Sequence, residues 1–196
     1  MKTTEGAPMT AAAATLPVGS ALRIAPAFVA TTCDDTLGIE TTLRADYSTD
    51  EGRYIVGTIT SSATRAGVDV NNTALRQIPV AAIVQAAAPH CIAVTLDDPA
   101  DPSSEWATVH TLTHSEGRII PDWLAQDVVK RGNKRTRMDV VEILYGTAAL
   151  AGLPPVKAVQ TELSVPHRTA ADWIKKARRA GRLEGMSFII GRQADG

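Results

Sequence analysis

The chain has 196 residues, of which 44% are hydrophobic, 21% charged and 4% aromatic, a mixture typical of globular proteins and unlike collagen or disordered chains. No stretch approaches the roughly 18 consecutive apolar residues of a membrane-spanning helix. Residues 1–16 lack the apolar segment of a secretory signal, and two cysteines, Cys33 and Cys91, cannot build a disulfide framework. We therefore expect a cytoplasmic protein with reduced thiols.

Charge is distributed unevenly along the chain. Residues 1–129 contain 7 Lys or Arg and 15 Asp or Glu, whereas residues 130–196 contain 13 Lys or Arg and 6 Asp or Glu. Such an asymmetry indicates two modules, of which the basic one binds a polyanion. Composition equally allows basic helix faces that contact only water, so the positions of the cations have to decide.

The first part of the chain is predicted to be β-structure. Residues 1–15, rich in Thr and Ala, are expected to be a flexible tail. Alternating apolar and polar residues then predict three strands, over 22–29 (broken at Pro26), 37–43 and 54–60. The segment Ser48-Thr49-Asp50-Glu51-Gly52 is typical of a turn, so the last two strands should form an antiparallel hairpin.

The pattern becomes helical over 73–88, and a short apolar strand follows over 90–96. Together with the preceding strands these elements define an N-terminal module at 16–96. Its apolar helical residues fit either a core or an interface: Leu75, Ile78, Val80, Ile83 and Val84. Residues 97–120 are a linker by composition. The apolar residues inside it fit either an edge strand or packing onto a neighbour: Trp106, Val109 and Leu112.

The remainder, residues 121–196, is predicted to be helical. Helical spacing with Pro and Gly at the ends predicts four helices, over 122–131, 136–151, 156–163 and 167–180. The apolar stretch 186–190 fits either a strand or an apolar flap. The expected fold class is α+β, with a small N-terminal module of antiparallel strands plus a helix, followed by an all-α C-terminal domain.

Apolar residues between positions 156 and 183 recur where two helices would cross over a tight turn: Val159, Leu163, Val165, Ala170, Trp173, Ile174, Ala177, Ala180 and Leu183. With the ending Lys-Lys-Ala-Arg-Arg-Ala-Gly-Arg-Leu, this stretch resembles a bacterial helix-turn-helix DNA-binding unit of the kind found in actinobacterial regulators. The resemblance covers roughly 135–183, with the motif itself at 155–181. It implies that the second helix lies in the DNA major groove.

Three residues depart from the pattern of that family. Gln160 stands where a small residue is usual, Ser164 where Gly is usual, and Pro166 where Ser or Thr often caps the helix. A bulky Gln160 would widen the helix crossing. Ser164 should have a strained backbone, at a cost of about 1 kcal/mol.

The resemblance implies roles for outward residues of the second helix and for residues near it. Five residues are expected to read bases: His167, Arg168, Ala171, Asp172 and Lys175. Another five are expected to contact phosphates: Lys157, Thr169, Lys176, Arg179 and Arg182. Asp172 fits equally well in a surface ion pair with Arg168, Lys175 or Lys176. An upstream basic cluster fits either phosphate contact or a solvated loop: Lys130, Arg131, Lys134, Arg135 and Arg137.

Other chemistries find little support in the sequence. His110 and His114 have H-x-x-x-H spacing, but the Thr and Val residues around them do not favour a helix, and no acidic residue completes a metalloprotease motif. Gly-rich phosphate loops and a Gly-framed nucleophile are absent. We therefore expect no enzyme activity, no catalytic or metal-binding residue and no cofactor.

The sequence thus predicts a protein that binds double-stranded DNA sequence-specifically and acts as a transcriptional regulator. No contact with a membrane is expected. It leaves open whether the chain forms a homodimer and whether the N-terminal module binds an effector or a protein. Two other functions stay open: an accessory protein of DNA recombination or transposition, and a protein-interaction adaptor with a basic helical end.

Overall fold

The computed structural model describes residues 1–95, 97, 101, 103–116, 118–130, 134–186 and 188. This part of the chain contains seven strands: β1 (Leu16–Val18), β2 (Leu22–Ile24), β3 (Ala27–Asp34), β4 (Ile39–Ser48), β5 (Arg53–Ala63), β6 (Ile92–Val94) and β7 (Ala107–Thr108). It also contains seven α-helices: α1 (Asn72–Arg76), α2 (Val80–Cys91), α3 (Val109–Glu116), α4 (Asp122–Lys130), α5 (Lys134–Leu150), α6 (Pro155–Leu163) and α7 (His167–Arg179). A short 3-10 helix spans Ala11–Ala13.

The strands form two antiparallel sheets, with strand orders β1-β2-β6-β7 and β3-β4-β5. The predicted hairpin is confirmed: β4 pairs with β5, and Gly52 in the connecting turn has a φ of +61° and donates to the Ser48 carbonyl. Positive φ is a conformation that glycine adopts without steric cost. The strand predicted over 22–29 is interrupted at Pro26, and its two halves, β2 and β3, belong to different sheets.

The predicted fold class is wrong, because strands and helices share one core instead of occupying separate halves of the chain. The structure is mixed α/β, with strands from β1 to β7 spread over residues 16–108. Buried Leu22 and Val94 of the first sheet lie in the same apolar cluster as Val141 and Leu144 of α5. A strand of three residues buries too little by itself, so the sheet needs the long helix to cover it.

A second, smaller cluster lies between the β3-β4-β5 sheet and α2. Phe28 and Leu43 are fully buried there, and the Phe28 and Tyr54 rings meet edge to face with centroids 5.0 Å apart. The opening residues, expected to be a loose tail, contact this part: the Lys2 amide donates to the Val29 carbonyl over 3.0 Å, and Met1 packs against the cluster.

The four predicted C-terminal helices are observed as α4 to α7, with ends shifted by at most a few residues. The segment predicted as a linker contains β7 and α3, so its composition concealed regular structure. The predicted strand or flap at 186–190 lies mostly outside the described residues. Of the helices that the structure describes, none has the length and apolar content needed to cross a bilayer.

Candidate nucleic-acid interface

A three-residue turn joins α6 to α7. Ser164 ends α6 with φ 51° and ψ 41°, and among the described residues it is the single non-glycine with positive φ. Val165 is buried in the turn, and its amide donates to the Gln160 carbonyl over 3.2 Å. Pro166 precedes the first residue of α7, where its fixed φ suits the start of a helix. The turn therefore accommodates the departures at Ser164 and Pro166.

One face of the α6–α7 pair is apolar and buried, on residues that the sequence predicts to be core: Val159, Leu163, Val165, Ala170, Ile174, Ala177 and Leu183. Trp173 is half-buried and packs against the same cluster, as does Met138 of α5. Gln160 is half-buried, so the helix crossing tolerates its side chain. Ala180 was expected on the inner face and is exposed instead.

The opposite face of α7 is exposed and cationic. The whole helix has thirteen residues, of which five are Lys or Arg and one is Asp. Four of the five residues expected to read bases are exposed: His167, Arg168, Asp172 and Lys175. The fifth, Ala171, is half-buried. The acidic part of the chain therefore leaves this face uncovered.

The residues expected to contact phosphates are separated by the structure. Lys157, Lys176 and Arg179 are exposed, and Thr169 is half-buried in the first turn of α7. Arg182 lies past the end of α7, and its guanidinium is bonded to Asp139 over 2.6 Å and to Glu142 over 3.1 Å. Because these carboxylates already bind its charge, Arg182 is poorly suited to a phosphate contact.

Of the three cations that could pair with Asp172, the structure shows Lys176 as its partner. Its carboxylate lies 3.3 Å from the Lys176 ammonium, one turn further along the helix. Both side chains are more than half exposed, so the pair contributes little to stability and opens readily to another partner. Asp172 and Lys176 therefore both stay accessible from solvent.

Two arginines that the sequence could not place are held by aromatic rings of this region. Arg137 of α5 lies over the Trp173 ring, 4.7 Å from its centroid, and donates from Nε and Nη2 to the Val128 carbonyl. Arg178 of α7 donates to the Tyr145 hydroxyl over 3.0 Å. Arg137 was expected only as part of a basic cluster. Of the other members, Lys130 and Arg135 are exposed, whereas Arg131 and the Lys134 side chain lie outside the described part.

Three histidine rings form a stack. His110 and His114 do lie on a helix, contrary to the expectation from their Thr and Val neighbours, and their rings are 5.9 Å apart. His90 stacks on His110 with centroids 3.7 Å apart. Lone pairs of stacked imidazoles lie in parallel planes and do not converge on one point. Within the described residues, no group of His, Cys, Asp or Glu has a geometry that could hold a metal ion.

The cysteines are free in the structure, Cys33 exposed and Cys91 buried. Burial raises the pKa of the Cys91 thiol to about 12, which keeps it protonated and a weak nucleophile.

Comparison of the chain with protein-family models, with curated proteins and with solved structures found no match. The chemistry of the exposed α7 face therefore has to be judged from its own residues.

Proposed function

We propose that this chain is a sequence-specific double-stranded DNA-binding protein, a transcriptional regulator of the cytoplasm that inserts α7 into the major groove. The observation that supports it is the division of α7 into two faces. Ala170, Ile174 and Ala177 are buried against α5 and α6, while the cationic residues point to solvent. A rigid helix with one free basic face matches the docking geometry of helix-turn-helix proteins.

Base reading is assigned to the start and outer face of α7. Arg168 can donate two hydrogen bonds to one guanine, Asp172 can accept from a cytosine amine, and Ala171 can touch a thymine methyl group. The N-terminal turn of α7 has no side-chain cap. Its free backbone amides are therefore available to a DNA phosphate at the positive end of the helix dipole.

Phosphate contacts are assigned to Lys157, Thr169, Lys176 and Arg179, which flank the reading positions. Such contacts contribute affinity and fix the register of the helix on the duplex, without sequence information. The acidic first part of the chain lowers the affinity for anions elsewhere on the molecule. If two copies bind a palindrome, their α7 helices would lie about 34 Å apart, one turn of DNA.

Selection of bound duplexes from a random DNA pool, with the full chain, tests the proposal. We expect a recurrent motif and a specific affinity that falls as salt rises, because phosphate contacts release counterions. Fluorescence anisotropy on the selected duplex and on a scrambled one then measures the specificity ratio. Arg76→Gln, which removes one exposed cation on α1, is the matched control and should leave binding unchanged. A chain that binds neither duplex at low salt contradicts the proposal.

A further inference from the structure

A groove of about 630 Å³ lies between the first turns of α5 and the second half of α7. Its floor is apolar and consists of Met138, Val141, Trp173 and Ala180. Three cations form its rim: Arg137, Lys176 and Arg179. The groove has the size of small-molecule sites, which typically measure about 300–1,000 Å³.

The cation on the α5 side of the rim is held in place by other residues, whereas the two cations on the α7 side are exposed to solvent. Arg137 is fixed by its contacts to Val128 and the Trp173 ring, and no described residue takes a hydrogen bond from its Nη1. Across the groove, Arg179 is exposed and has no ion pair among the described residues, while Lys176 is paired with exposed Asp172. The lining contains no carboxylate, and of the three cations Lys176 alone has an acidic partner among the described residues, Asp172 outside the groove.

We propose that this groove binds a small aromatic monoanion, an aromatic carboxylate or sulfonate. The ring system would lie on Met138 and Trp173, which are both partly exposed, and burying their apolar area would contribute most of the affinity. The anionic group would then face the rim, where charge-assisted hydrogen bonds from arginine are strong. Inorganic phosphate could bind the cations of the rim, but it would leave the apolar floor exposed to water. The floor therefore selects an anion that carries a ring.

Occupation of the groove has a consequence for DNA, which rests on the proposed function. Lys176 and Arg179 belong both to the rim and to the proposed phosphate contacts. A bound anion neutralises them and adds negative charge beside α7, so the small anion and the duplex compete. The groove would thus couple a small-molecule signal directly to release of DNA.

The experiment uses 1-anilinonaphthalene-8-sulfonate as the probe, with the full chain and no DNA. Its neutral analogue, N-phenyl-1-naphthylamine, has the same rings without the sulfonate and serves as the matched ligand control. We expect saturable binding of the sulfonate with quenching of the tryptophan emission of the chain. Binding of the neutral amine should be weaker by about tenfold, the factor for one lost charge-assisted hydrogen bond. Equal affinity for both compounds overturns the proposal, because the cations would then have no role.

Variants locate the bound probe. Lys176→Gln with Arg179→Gln should weaken sulfonate binding by about tenfold or more, while Arg76→Gln, on α1, leaves it unchanged. Ala180→Leu fills the groove from an exposed position without removing charge, and it should abolish binding while circular dichroism stays that of the parent chain. Undiminished binding in both groove variants overturns the assignment, since the probe would then lie elsewhere.

Competition separates this inference from the proposed function. The sulfonate should displace a selected duplex from the parent chain, and the Ala180→Leu variant should resist that displacement. Probe binding without any DNA binding upholds the groove and contradicts the proposed function. DNA binding without probe binding contradicts the groove alone.

Discussion

Arg182 donates to Glu142 over 3.1 Å and so ties the segment after α7 to a carboxylate in the middle of α5 that solvent does not reach. The same carboxylate accepts hydrogen bonds from the backbone amides of Ser20 and Ala21, in the β1–β2 turn. A buried charge needs several such partners, because it has lost its hydration. Arg182 therefore connects the segment after α7 to the N-terminal strands.

We predict that Arg182→Leu lowers the free energy of unfolding by about 3 kcal/mol, since it leaves Glu142 buried without its cation. Urea denaturation of parent and variant measures the difference. Asp139→Asn removes the other carboxylate of Arg182, which is 37% exposed, and should cost about 1 kcal/mol or less. Equal losses in the two variants would show that the burial of Glu142 has no special weight.

The left-handed backbone at Ser164 predicts a substitution that raises the free energy of unfolding. Ser164→Gly should raise the stability by about 0.5–1 kcal/mol, because glycine adopts positive φ without the clash of a Cβ atom, a gain partly offset by its freer unfolded chain. The melting temperature should rise by a few degrees on that basis. Ser164→Ala is the control: it keeps the Cβ atom and should leave the melting temperature almost unchanged. A lower melting temperature for Ser164→Gly contradicts the strain.

The α6–α7 pair was predictable because the sequence pattern that specifies it is local. The signals lie within thirty residues of one another: the spacing of the apolar residues Val159, Leu163 and Ile174, and the positions of Pro155 and Val165. The β4–β5 hairpin was predictable for the same reason, since alternation and a turn lie side by side in the sequence. Exposure of the α7 cations followed directly, because burying one helix face leaves the other in water.

The fold class could not be read locally. β1, β2, β6 and β7 have three residues or fewer, and their partners are distant in the chain: Leu22 pairs with Val94, and Ile24 with Ile92. β2 and β6 lie within predicted strands, but a strand this short gives no signal of its partner, so only the shared core with α5 reveals that they form one sheet. The ion pair of Arg182 with Glu142 spans 40 positions and is equally invisible in sequence, which is why Arg182 resembled a phosphate ligand.

α3 was missed although a signal for it was present. Thr108 accepts a hydrogen bond from the Thr111 amide over 3.1 Å, as an N-cap residue does. Thr113 then donates its hydroxyl to the Val109 carbonyl one turn back, so the threonines that disfavour a helix are satisfied inside it. The dipeptide Thr108-Val109 could therefore have been taken as a helix start.

For DNA binding, Arg168→Ala should weaken the affinity for the selected motif by about 1–3 kcal/mol and relax the preference at one base pair. The loss is specific because the guanidinium is assigned to a base edge and not to the backbone. Anisotropy titrations against the motif and its single-base variants measure both effects. An equal loss on scrambled DNA would contradict the base-reading role.

Lys176→Ala should behave differently, because its ammonium is assigned to a phosphate. Affinity should fall by a similar factor on the selected and scrambled duplexes, and the slope of log affinity against log salt should flatten by about one. Arg76→Ala, distant in sequence and on α1, should leave the slope unchanged. A specific loss confined to the selected duplex would move Lys176 into the base-reading set.

The histidine stack predicts how stability depends on pH. Burial lowers the pKa of His90, and the neighbouring His110 and the N-terminal ammonium lower it further. Below the unfolded value of about 6.5 the unfolded chain therefore binds a proton more readily than the folded one, so stability falls as the pH drops through this range. We expect the free energy of unfolding to be constant above neutral pH and to decline toward acidic pH.

His90→Gln should weaken that decline, while His167→Gln, on the exposed face of α7, should not. Urea denaturation at a series of pH values decides, and parallel curves for the parent chain and His90→Gln would mean that other groups cause the decline.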